Sequence, residues 1–61
     1  MTFKEVERIL VDDGWYHKTT KGSHYHYKHP TKPGKVTIPK HSGDLDPTTV
    51  KSILNQAGLN K

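Results

Sequence analysis

Two stripes of apolar residues at helical spacing bracket a middle segment where the period drops to two, and the chain has little else to build a core from. At the N-terminal end Phe3, Val6, Ile9 and Leu10 share one helical face. Thr2-Phe3-Lys4-Glu5 reads as a capping box, in which the Thr2 hydroxyl and the Glu5 carboxylate each satisfy a free backbone N–H. Glu5 and Glu7 stand near the positive end of the helix dipole. Asp12-Asp13-Gly14 ends the stripe, with Gly14 suited to a left-handed cap. The pattern predicts a helix over residues 2–12. At the other end Asp46 is a capping residue and Pro47 suits the first helical position. Val50, Ile53, Leu54 and Ala57 follow at i, i+3, i+4 and i+7, and Gly58 closes the helix.

The middle segment reads as three short strands: Trp15 to Lys18, Ser23 to Lys28, and Lys35 to Ile38. Thr19-Thr20-Lys21-Gly22 is expected as the first turn, and Pro30-Thr31-Lys32-Pro33-Gly34 as the second. Pro39 closes the third strand, because proline cannot donate to a ladder. Short connections imply an antiparallel meander. The expected fold is α+β, in the order α-β-β-β-α, with both helices packed on one face of a three-stranded antiparallel sheet. Residues 1–61 form one expected domain, since a chain of 61 residues with 30% hydrophobic content has material for one small core. Val36, Ile38, Tyr25 and Tyr27 should point inward, with Ser23 on the tyrosine side. His24, His26 and Lys28 should point away from the helices, because unpartnered polar groups are costly to bury. In the first strand, if Trp15 points inward, Tyr16 and Lys18 are outward and His17 points in.

The chain has no cysteine, which removes disulfides, thiolate zinc sites and thiol nucleophiles. It carries no recognisable secretory or lipidation signal and no apolar run of membrane-spanning length, so a cytoplasmic protein without a membrane partner is expected. The net charge of +4 favours a polyanionic partner. All five histidines lie in the span from His17 to His41, among most of the lysines.

The segments Gly14-Trp15, Lys21-Gly22-Ser23-His24 and Tyr27-Lys28-His29-Pro30 resemble the HicA (YcfA-like) toxin family. So do Val36-Thr37-Ile38-Pro39-Lys40-His41, Leu45, Pro47 and the run from Ser52 to Leu59. The resemblance spans nearly the whole chain and keeps the order of the family's segments. It implies a fold like a double-stranded-RNA-binding domain and the activity of an endoribonuclease that cuts mRNA. It also implies membership of a type II toxin–antitoxin pair, with a HicB-type antitoxin that covers the active site. The family's catalytic histidine maps to His24.

That assignment suits the chemistry. RNA carries its own nucleophile, the 2′-hydroxyl, so cleavage needs a base, an acid and positive charge at the phosphate, with no metal or cofactor required. Histidine, with an ordinary pKa of about 6.5, offers both protonation states near neutrality. His24 follows a glycine turn on the open side of the sheet. The backbone at Gly22 and Ser23 is available to hold a phosphate oxygen. His26 shares the His24 face as a second proton-transfer group or substrate contact, and His41 could supply an acid if its loop folds over the sheet. Lys18, Lys21, Lys28, Lys35 and Lys40 are expected as a phosphate track around this face. Tyr16 is available to stack on a base. His17 and His29 are expected as turn and edge residues. Three other readings compete: a non-catalytic RNA-binding module of the same fold, a zinc site built from His24, His26 and His41, and a purely structural partner protein.

Overall fold

The helix ends explain where the chain turns. The computed structural model describes residues 1–59. The first helix, α1 (Phe3–Asp12), opens on the capping box: the Thr2 N–H donates to Glu5 Oε1 at 2.8 Å and the Glu5 N–H donates to Thr2 Oγ1 at 3.2 Å. At its other end the Trp15 N–H donates to the Leu10 carbonyl and the Gly14 N–H to the Val11 carbonyl. This 6→1 and 5→2 pair is a Schellman motif, which requires a left-handed residue at Gly14, and its φ is +108°. The C-terminal helix, α2 (Pro47–Gln56), is capped by Asp46, whose carboxylate accepts from the Thr48 N–H at 2.8 Å. It closes with the same pair of bonds, Leu59 N–H to Leu54 and Gly58 N–H to Asn55.

Between them lie β1 (Tyr16–Lys21), β2 (His24–Lys28) and β3 (Val36–Pro39), paired antiparallel in the order β1-β2-β3. The observed order α-β-β-β-α and the antiparallel sheet match the expected fold class. The first helix starts one residue later than expected, each strand does the same, Pro39 is the last residue of β3 rather than lying beyond it, and the end of β1 moves furthest. Thr19, Thr20 and Lys21 continue β1 rather than turning, and Lys21 pairs with His24, so the connection is only Gly22-Ser23. Gly22 has φ +59° and Ser23 does not have positive φ, the pattern of a two-residue type II′ hairpin loop. The register slips between His17 and Thr19, leaving Lys18 as an extra residue in a bulge.

The core contains Phe3, Val6 and Leu10 from α1, Tyr27, Val36 and Ile38 from the sheet, and Val50 and Ile53 from α2. Trp15, Leu45 and Ala57 complete it. Every apolar residue there comes from the inner sheet face, the helix stripes or their ends, which leaves the opposite face of the sheet to polar residues. The Tyr27 hydroxyl crosses the core boundary and donates to Glu7 on α1. The segment after β3 returns past the N-terminus, where Thr2 bridges Asp44 and the Leu45 N–H donates to the Met1 carbonyl at 2.7 Å. All six β1 residues are exposed.

Candidate active site on the outer face of the sheet

Strand register decides which side chains meet on the open face. Residues opposite one another in antiparallel strands share a face. Lys21, His24 and Pro39 therefore form one row, Thr19, His26 and Thr37 the next, and Tyr16 and Lys28 a third. His24 stands at the start of β2, directly after the Gly22-Ser23 loop, and is exposed. Among the described residues no hydrogen bond holds its ring. His26, one pleat along, is half-buried, and its Nδ1 lies 2.9 Å from Thr37 Oγ1. Partial burial holds the His26 pKa below the ordinary imidazole value, and the positive charges of Lys35, His24, Lys21 and His17 lower it further.

A concavity of about 420 Å³ opens on this face, lined by Lys18, Thr19, Thr20, Lys21, His26, Lys28 and Lys35. Among the described residues no carboxylate contributes to it. The lysines come from both hairpin strands and from the lead into β3, and Lys18 is the bulged residue. Of the residues read from the sequence, Lys18, Lys21, His26 and Lys28 meet at this cavity, and Gly22, Ser23 and His24 lie at its turn end.

Lys40 and His41 do not join them. Pro39 sits opposite His24, so the two-residue alternation turns the next side chain to the inner side. The Lys40 ammonium lies over the rings of Phe3 and Tyr25, at 5.7 and 5.6 Å. His41 lines a separate cavity with Phe3, Glu7, Tyr25 and Lys40. The expectation that Lys40 flanks the His24 face is corrected accordingly. Among the described residues no group of three or more histidine, cysteine, aspartate or glutamate side chains is placed to hold a metal ion, so His41 does not complete a ligand set with His24 and His26. Sequence reading missed the Thr37 contact to His26 and the threonine wall of the cavity. The signal lay in the register of β3, which the alternation of a four-residue strand does not fix.

A family model for the HicA toxin of bacterial toxin–antitoxin systems matches residues 3–59. The chain belongs to the HicA toxin family. A solved structure, described as a toxin–antitoxin complex from Streptococcus pneumoniae, contains a similar chain: 35% identical, TM-score 0.82, covering 97% of this chain and 98% of that one. No curated protein matches. In this HicA toxin the Gly22-Ser23-His24 segment forms the hairpin loop and the first residue of β2. Among the described residues no helix is long and apolar enough to cross a membrane.

Proposed function

We propose that this toxin is a metal-independent endoribonuclease that cuts mRNA, with His24 as its proton-transfer residue. The observation that carries the reading is an exposed imidazole at a glycine turn, beside a lysine-lined cavity on the sheet face that the helices leave open. In the reaction the RNA 2′-oxygen attacks the adjacent phosphorus. The P–O2′ bond forms, the P–O5′ bond breaks, and the products are a 2′,3′-cyclic phosphate and a 5′-hydroxyl. His24 takes the 2′-proton or supplies the proton to the leaving 5′-oxygen, and the ammonium groups of Lys18, Lys21 and Lys28 hold the backbone and offset the charge of the phosphorane.

The partner is a HicB-type antitoxin that covers this face, in keeping with the toxin–antitoxin assembly in which the similar chain was solved. A face so rich in lysine suits an acidic partner surface. The His24 ring, with no hydrogen bond among the described residues to orient it, favours a second reading: a non-catalytic RNA-binding module of the same fold. Induction of wild type and His24→Ala in bacterial cells separates them. The nuclease reading expects growth arrest and RNA loss with wild type only. Equal toxicity of the two proteins removes His24 from the mechanism, and wild type that binds RNA without ever cutting it leaves the module.

A further inference from the structure

The nuclease reading uses His24 for proton transfer and Lys18, Lys21 and Lys28 for charge, and assigns no part of the RNA to the cavity that those lysines line. His24 is not among the groups that line that cavity. We propose that the cavity is a subsite for a second phosphate of an RNA chain, held by Lys18, Lys21, Lys28, Lys35 and the Nε2 edge of His26, one nucleotide from the phosphate beside His24. Only the position relative to the cut rests on the ribonuclease reading; the phosphate site stands on its own geometry.

Five observations carry it. Among the described residues the lining offers ammonium, hydroxyl and imidazole groups and no carboxylate, the donor set of an anion site. The bulge leaves Lys18 without a partner in the ladder, and Lys18 and Thr19 beside it both line the cavity. Thr37 Oγ1 engages His26 Nδ1, which leaves Nε2 for a ligand and fixes the ring plane. The volume of about 420 Å³ exceeds what one phosphate fills and falls within the range of about 300–1,000 Å³ typical of small-ligand sites, so a whole nucleotide is the fitting occupant. His24 and His26 are two residues apart on one strand, about 6.6 Å along it, a separation on the scale of one nucleotide step.

The surroundings of His26 also set its response to an anion. Lys35 from the lead into β3, Lys21 and His17 from β1, and His24 on its own strand all disfavour its protonated form. A bound phosphate reverses that field. Occupancy therefore draws a proton onto His26, and affinity for phosphate rises as pH falls.

The test is an NMR titration of the imidazole signals of the wild-type chain with inorganic phosphate and with a nucleoside monophosphate. The expected result is a saturable shift of the His26 signals, with its titration midpoint moving to higher pH, and tighter binding of the monophosphate. Lys35→Gln and Thr37→Val each weaken that binding several-fold. The proposal is overturned if His26 shows no saturable response, or if all five histidines respond alike, as diffuse attraction would make them. With RNA as substrate, His26→Gln raises KM several-fold and leaves kcat within about twofold. A collapse of kcat at unchanged KM instead makes His26 a proton-transfer group and overturns the subsite. The two readings fail separately: a chain that never cuts RNA still gives the phosphate titration, and a failed titration leaves the His24→Ala result intact.

Discussion

Both ring nitrogens of His29 are committed to the fold. Its Nε2 lies 2.7 Å from the Asp13 carbonyl oxygen, which only accepts, so Nε2 carries the proton. Its Nδ1 then accepts from the Thr31 and Lys32 N–H groups at 3.1 and 3.0 Å. The ring also packs edge-on to Trp15 and closes over Gly14, where an added Cβ would sit 2.7 Å from Nε2. His17 is engaged in another way, against Tyr25 and Tyr27 with its Nε2 on Thr20. Engagement thus sorts histidines that look alike in the sequence. His29→Ala removes bonds worth about 1 kcal/mol each and leaves two loop N–H groups unpaired, a loss of about 2 kcal/mol. In a domain of this size that lowers the melting temperature by about 8–16 °C. Thermal unfolding followed by circular dichroism reads it. RNA cleavage below that melting point should persist, the reverse of the pattern expected for His24→Ala. An unchanged melting temperature would show that the His29 bonds contribute nothing.

Each helix end follows from a local bond visible in the sequence, and β1 does not. Asp46→Ala leaves the Thr48 N–H without its cap and should cost about 1 kcal/mol, measurable as a lower denaturation midpoint at constant m-value. Thr2, Glu5, Gly14, Asp46 and Gly58 are legible for the same reason: their effect depends on neighbours a few residues away. Thr19-Thr20-Lys21 resembles a turn because it is polar, yet polarity reports exposure rather than conformation. β1 is an edge strand exposed along its whole length, so polar residues suit it as a strand. The slip at Lys18 is set by how His17 and Thr19 meet β2, and nothing local announces it. The outward direction of His24, His26 and Lys28 was readable from the inward tyrosines. The reach of Lys40 was not, because it depends on where Pro39 pairs and on Phe3 standing beneath it.

At the scale of the molecule, charge is sorted by face, and this sets the response to pH and salt. Lys32 Nζ donates to the Asp13 carboxylate and to the Ala57 carbonyl, tying the β2–β3 loop to the ends of both helices. That bond from Lys32, aided by Trp15 Nε1–H, holds the Asp13 pKa below its ordinary 3.8. Its stabilising effect is complete above that pH and is lost as pH falls through the lowered value. Tyr27 limits the other end. Burial and Glu7 push its pKa above the ordinary 10.0, so above that pH only the unfolded chain ionises and stability falls. Asp13→Asn should flatten the acid limb of melting temperature against pH, and Tyr27→Phe the alkaline limb. Salt acts on the opposite face. The four cavity lysines can each displace a counterion from a single strand, and a slope of about −0.7 per contact gives a log–log dependence near −2.8 for RNA bound to the non-cutting His24→Ala chain. Lys28→Gln should reduce that slope by about 0.7, whereas Lys40→Gln should leave it unchanged, since Lys40 is spent on the rings of Phe3 and Tyr25. Fluorescence anisotropy over a range of salt measures both. Equal losses from the two variants would mean that RNA follows the net charge of the chain rather than one face, and the assignment of the binding surface to the open side of the sheet would fall.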